Sequence, residues 1–230
     1  ITFVEIGVYN GGSLKVWKDF FGEKSRIIGI DINPECKKFE KDGFEIFIGN
    51  QSDPNFWKEF FVKVGNVDII LDDGGHTNLD QITTVVNSVE KINDGGLLVI
   101  EDVHTSYIKV YNSKSAFSFI NFAKKTIDDI NFTFDNTKKF NFSLNRYIYS
   151  SQFYESIVVF KIDRKKCLQN KKIQNSGQSH NIDDQTWVGN EINIKNIKKI
   201  TNNIKFIKLK KFTNFLKNKI NNKKLMKFFD

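Results

Sequence analysis

Short apolar runs alternate with amphipathic stretches over the first 160 residues, the pattern of successive strand and helix units that build a parallel sheet. Five runs read as strands: Thr2 to Ile6, Arg26 to Asp31, Phe44 to Ile48, Val67 to Asp72 and Gly96 to Glu101. Apolar positions at helical spacing fall between them at Ser13 to Phe21, Pro54 to Val64 and Leu79 to Ile92, the last two with Asp53 and Asn78 as expected N-caps. A further helix is predicted over Ser115 to Ile130. Tyr147 to Tyr149 and Ser156 to Ile162, parted by a polar turn, read as a closing antiparallel pair, which makes seven strands.

Beyond this body the pattern changes. Residues 163–190 are polar and read as a linker. In residues 191–230, Ile204, Ile207, Phe212, Phe215, Leu216 and Ile220 recur at helical spacing among lysines, so a basic amphipathic helical tail is expected. The chain carries a net charge of +8, and the excess sits late: residues 161–230 hold 18 Lys or Arg against 5 Asp or Glu. Such a tail packs on the body or on a second subunit in its commonest use. Peripheral attachment to an anionic membrane is its sharper one.

A length of 230 residues accommodates one α/β domain with an appendage. The sequence opens at Ile1 inside an apolar run and its one methionine is Met226, so the natural start is expected upstream. Cys36 and Cys167 stand in unrelated contexts without a CxxC pair, which argues against a disulfide framework or a cysteine zinc site and fits a reducing cytoplasm. No apolar run approaches the roughly 20 residues that span a bilayer.

In an open α/β sheet, ligands bind beyond the carboxyl ends of the strands where strand order reverses, so the residues ending each strand carry the chemistry. The first strand runs into Glu5-Ile6-Gly7-Val8-Tyr9-Asn10-Gly11-Gly12-Ser13, a glycine-rich turn ahead of a helix N-terminus. Its glycine spacing differs from the G-x-G-x-x-G fingerprint and disfavours a NAD-linked oxidoreductase. The second strand ends in Asp31, placed to accept from ribose hydroxyls, and the third in Gly49-Asn50-Gln51-Ser52-Asp53, whose polar groups suit an adenine edge. The fourth ends Leu71-Asp72-Asp73-Gly74-Gly75-His76 and the fifth Ile100-Glu101-Asp102-Val103-His104. If these last two are neighbours, about 5 Å apart, Asp73, Glu101 and Asp102 converge. Three carboxylates sharing a spot need protons or a cation, and an all-oxygen cluster suits Mg2+ better than zinc.

These residues resemble two related groups of class I S-adenosylmethionine-dependent methyltransferases. Glu5, Gly7, Tyr9, Gly11 and Ser13 look like the turn of catechol-type O-methyltransferases. The closer resemblance is to the sugar O-methyltransferases of macrolide and rhamnosyl-antibiotic biosynthesis, grouped with cephalosporin hydroxylase-type proteins: D-x-x-H after strand four and E-D after strand five are matched by Asp73, His76, Glu101 and Asp102. Phe153 to Phe160 also looks like that family's closing strand, so the match spans Thr2 to about Ile162.

The resemblance implies a Rossmann-like α/β fold, a seven-stranded mostly parallel sheet with helices on both faces. It implies S-adenosylmethionine held by Glu5, Gly7, Tyr9, Gly11, Ser13, Asp31, Gln51, Ser52 and Asp72, and Mg2+ held by Asp73, Glu101 and Asp102. It further implies His76 as general base toward a sugar hydroxyl, with a small-molecule or glycan acceptor and a homo-oligomeric enzyme. Two departures stand out: the region that precedes the first strand in that family, and the lysine-rich tail, which has no counterpart there. Two other functions compete: an RNA-binding or RNA-modifying methyltransferase that uses the tail on phosphates, and a catalytically silent assembly protein. The tail contains no recognised RNA module, and the acid cluster is unnecessary for methylating a base nitrogen, so nucleic acid is not the expected partner.

Overall fold

The computed structural model describes residues 1–111, 116–131, 142–167, 226, 228 and 229. Within them, one sheet contains β1 (Thr2–Ile6), β2 (Arg26–Asp31), β3 (Glu45–Ile48), β4 (Val67–Asp72), β5 (Ile92–Ile100), β6 (Ile148–Tyr154) and β7 (Ile157–Ile162). The order is β3-β2-β1-β4-β5-β7-β6, with β1 to β5 parallel and β7 antiparallel to both its neighbours. The helices are α1 (Gly12–Phe21), α2 (Pro54–Val64), α3 (Asn78–Ser88) and α4 (Phe119–Asn131). The expected seven-stranded, mostly parallel sheet with helices on both faces is what the chain forms. The linker and tail predicted for 163–190 and 191–230, including His180, lie outside the described residues apart from the few named above.

Strand alternation divides the core in two. Val4, Ile6, Ile28, Ile30, Ile70, Leu98 and Ile100 face α2, α3 and α4, and pack with Trp57, Phe60, Ile82, Val85, Phe119 and Phe122. Phe3, Ile27, Ile46 and Leu71 face the other way, onto Leu14 with Trp17 and Phe21 of α1. Because side chains alternate, every strand that reaches the carboxyl edge offers its last residues to opposite faces, and this decides which acids meet.

The helix ends follow local chemistry. Asp53 caps α2 by accepting from the Asn55 N–H, Pro54 takes the first turn, and Gly65 ends the helix at φ +77°. For α3 the N-cap is Thr77, not Asn78: the Thr77 hydroxyl and the Asp80 carboxylate form a capping box. The Asn78 side chain is buried and accepts instead from the Phe119 N–H at 2.8 Å. α3 also stops at Ser88, short of the expected Ile92, because β5 already pairs from Ile92; it loops out before Leu97 while β4 advances only from Val67 to Ile69. An unpredicted 3₁₀ helix covers Pro34–Asp42, capped by Asn33. α4 begins at Phe119, after Ser118, whose hydroxyl accepts from the Asn121 N–H; Ser115 is outside the described residues.

Candidate active site

β1 and β4 lie side by side where the strand order reverses, and the chain beyond each strand continues the ladder for one step. Gly7 N–H donates to Ile30 at 2.9 Å, Asp73 N–H to Ile6 at 3.0 Å, Glu101 N–H to Asp72 at 2.9 Å and Gly49 N–H to Asp31 at 2.9 Å. Five strand ends, those of β1 to β5, are thereby stitched into one rim. Gly7 adopts φ +96°, and a β-carbon there would run into the backbone carbonyl of Asp73, so only glycine lets β1 and β4 close up at this point.

A cleft of about 640 Å³ opens over the rim. Its wall includes Gly7, Tyr9, Asp31, Asn33, Cys36, Gln51, Asp73, Gly74, His76 and Asp80. Asp31 accepts from the N–H groups of Val8 and Tyr9 at 2.9 and 3.0 Å and from Asn33 at 2.8 Å. Burial alone pushes its carboxyl up, but these backbone donors outweigh it and hold the group below the usual carboxylate range. Beside it, burial and the Asp31 charge push the Cys36 thiol up to about 11, so the sulfur sits in the cleft as a neutral thiol.

Several residues predicted to touch the cofactor hold the cleft from behind. Glu5 is 2% exposed and absent from the cleft wall; its two oxygens accept from Ser13 Oγ at 2.8 Å and Trp17 Nε1 at 3.1 Å, which ties α1 back to β1. Burial raises its pKa above the ordinary value despite those two donors. Asp72 is 1% exposed on the α2/α3 side, its pKa also raised by burial. Gln51 spans the gap between β3 and β4. Its amide donates to both Asp72 oxygens at 3.0 and 3.1 Å and to Thr84, while its carbonyl accepts from the Gly75 N–H at 2.8 Å. Gln51 reaches the cleft wall with its hydrogen-bonding capacity largely committed. Ser52 donates to Asn50 Oδ1 at 2.8 Å and lies off the wall. Gly11 is the N-cap of α1 in left-handed conformation, with no side-chain cap on the helix N–H groups.

The acids after β4 and β5 do converge. One ligand atom each from Asp73, His76 and Asp102 lies within 4.8 Å of the others. His76 Nε2 stands 4.0 Å from Asp73 Oδ1 and 3.8 Å from Asp102 Oδ2. Glu101 is outside that tightest group but close enough for its charge to repel Asp73 and Asp102. Burial first, then this repulsion, raises its pKa above the usual range. Asp73 is raised by burial and by Asp102, with His76 acting in the opposite direction. No Lys or Arg pairs with these acids among the described residues. Oxygen donors that repel one another without a neutralising cation, beside a half-buried imidazole, are a donor set that fits a divalent metal.

Backbone strain concentrates at this rim. The non-glycine residues with left-handed φ, among those described, are Tyr9 (46°), His76 (55°), Asp102 (53°) and Ser156 (62°). Each costs about 1 kcal/mol or more and persists only where surroundings enforce it. The enforcers at His76 are visible: Thr105 Oγ1 donates to its carbonyl at 2.9 Å, and the Tyr111 ring meets the imidazole edge-on with centroids 6.3 Å apart. Its Nδ1 is buried without a hydrogen-bond partner among the described residues, so Nε2 is the nitrogen that faces the acids.

The sequence reading missed Trp17, Tyr111, Thr105 and Ser156. Trp17 carried a signal, since it falls one helical turn after Ser13 and so shares its view of Glu5. Ser156 carried none: it arrives through the β6–β7 hairpin, 54 residues from Asp102.

No family model matches the chain. A rhamnosyl tetracenomycin-C 2′-O-methyltransferase of Streptomyces olivaceus is 30% identical over 140 residues, which are 56% of this chain and 36% of that protein. Mycinamicin VI 2″-O-methyltransferase of Micromonospora griseorubida is 35% identical over 116 residues, 46% of this chain and 28% of that one. The chain thus spans about a third of the length of these curated relatives. Among solved structures, the MycE methyltransferase in complex with Mg, S-adenosylhomocysteine and mycinamycin VI superposes with a TM-score of 0.66 at 26% identity, covering 71% of this chain and 45% of the other. The chain has the class I S-adenosylmethionine-dependent methyltransferase fold, and its sequence resembles the sugar O-methyltransferases of macrolide and rhamnosyl-antibiotic pathways.

Proposed function

We propose that this chain is the catalytic body of an S-adenosylmethionine-dependent O-methyltransferase whose acceptor is a hydroxyl of a sugar or glycoside. The observation that carries the reading is the meeting of Asp73, His76 and Asp102 beside a cleft whose wall Asp73, His76 and Asp31 share. S-adenosylmethionine, when bound along this cleft, supplies the methyl group as a sulfonium. Gly7 allows its close approach, and Asp31 takes the ribose hydroxyls on the acceptor capacity that its three backbone donors leave open. Glu5, Ser13 and Asp72 serve by holding the rim, with Gln51 as the brace between β3 and β4.

Mg2+ held by Asp73, Glu101 and Asp102 would supply the positive charge that makes an acceptor hydroxyl more acidic and fixes its oxygen in place. His76 takes the hydroxyl proton at Nε2. The imidazolium so formed faces Asp73 and Asp102 at 4.0 and 3.8 Å, and three carboxylates around one divalent cation would leave one negative charge to offset it. This is a general base whose charged product is stabilised in place.

The relatives' names support the acceptor class, since they specify positions on rhamnosyl and mycinamicin sugars. The acids around the cleft disfavour a phosphate backbone as acceptor, by repulsion. The test is methyl transfer from labelled S-adenosylmethionine with Mg2+, offered a rhamnosyl glycoside, its aglycone and an RNA pool. Label on the glycoside alone is expected; label on RNA would overturn the reading.

A further inference from the structure

Asp102 does not stand unaided. It ends the β5 edge in a left-handed backbone, φ 53° and ψ 34°, and the residue opposite it on the β6–β7 turn, Ser156, is left-handed too at φ 62°. The Val103 N–H donates to the Ser156 carbonyl at 3.1 Å. Ser156 Oγ lies 2.6 Å from His104 Nδ1 and reaches Asp102 Oδ1 at 3.5 Å, with His104 Nδ1 itself 3.7 Å from that oxygen. With the Nδ1 proton on His104, the hydroxyl accepts from the imidazole and donates to the carboxylate, so all three groups are joined in one direction. Asp102 therefore offers one oxygen to this chain and the other, Oδ2, toward His76 and Asp73. A carboxylate on a strained corner is free to turn about its side-chain bonds unless something holds one oxygen, and metal sites lose affinity when such outer partners are removed.

We infer that Ser156, backed by His104, is a positioning residue that aims Asp102 at the cation site. This rests on the metal-assisted reading above. The mechanism needs neither residue to touch substrate or to change its protonation. Their effect is on the geometry of Asp102 alone, and it ties the β6–β7 turn, otherwise an ordinary hairpin connection, to the reaction end of the sheet.

Mn2+ titration by calorimetry, on the whole chain, tests it with three variants. Ser156→Gly removes the hydroxyl at a position whose φ glycine adopts freely, so the fold is spared. It should weaken Mn2+ binding about 10- to 100-fold, with the metal-free melting temperature within about 4 °C of wild type. Ser156→Asn, which tolerates the left-handed region and restores a polar donor, should recover most of that affinity. His104→Ala changes a half-exposed side chain without touching the turn; it should weaken binding too, and add nothing to the loss in Ser156→Gly. Equal Mn2+ affinity in wild type and Ser156→Gly, or losses that add in the double variant, would overturn the inference while leaving the metal site standing. A wild type that takes up no Mn2+ would remove the metal site and this inference with it.

Discussion

Asp72 and Asp73 are adjacent in the chain and lie on opposite faces of the sheet: Asp72 is sealed beneath Gln51 on the α2/α3 side, while Asp73 stands in the cleft beside His76. A strand's period of two forces this division. It gives two acids of one dipeptide unrelated tasks, one bracing the rim and one facing the chemistry.

The brace makes the first prediction. Gln51→Ala removes the amide that donates to both oxygens of a buried carboxylate, and leaving such a group underserved costs about 1–3 kcal/mol. Asp72→Asn in the Gln51→Ala background should restore part of that, since a neutral amide is cheaper to bury than an anion. Chemical denaturation of wild type, Gln51→Ala and the double variant measures both effects.

Gly7 makes the second. Gly7→Ala places a methyl group against the Asp73 carbonyl and forces alanine to φ +96°. A loss of about 1–3 kcal/mol in stability is expected, together with loss of S-adenosylmethionine binding, because relief of the clash must part β1 from β4 at the cleft floor. Retained affinity in the folded variant would show that the close approach is structural only.

How much of this was legible in the sequence differs by kind of feature. The strands were readable because each presents an apolar run to a two-faced core, and the meeting of Asp73 with Asp102 followed once β4 and β5 were taken as neighbours. Glu5 and Asp72 were readable as special but not as hidden; the motif marks a carboxylate at each strand end, whereas burial and the Trp17 and Gln51 donors show that its partners are inside the protein. The α3 cap was misplaced by one residue because Thr77 and Asn78 are both good caps in isolation, and only the Asp80 reciprocity and the buried demand for the Asn78 side chain separate them. Ser156 was beyond reach, since nothing local ties it to a strand end far earlier in the chain.

The acid cluster makes a pH prediction. Burial and mutual repulsion raise Glu101 and Asp73 above the ordinary carboxylate range in the folded state. A folded pKa above the unfolded one means that the folded state binds more protons, so this contribution favours folding below about pH 4 and is lost as pH rises through the raised values. Glu101→Gln should flatten that decline and raise the metal-free melting temperature at pH 7. Thermal scans at pH 4 to 8 without metal test it; a variant that parallels wild type at every pH would contradict it.

His76 separates two uses of the same imidazole. As general base, His76→Ala should lower the transfer rate by about 10²- to 10⁴-fold with cation and S-adenosylmethionine binding intact. As a metal ligand, its loss would weaken the cation first, which the spacing of Asp73, His76 and Asp102 would also accommodate. Calorimetry beside the rate measurement distinguishes them, and the cation is expected to stay.

On the function proposed, this cleft binds S-adenosylmethionine beside a cation site built from Asp73, Glu101 and Asp102. Calorimetric titration of S-adenosylmethionine and Mg2+ into the wild-type chain and into an Asp73→Ala, Glu101→Ala double variant tests it most directly. Wild type is expected to bind both, and the folded double variant to keep S-adenosylmethionine while losing Mg2+. A well-folded wild type that binds no S-adenosylmethionine, or a double variant that binds Mg2+ as tightly as wild type, would contradict it.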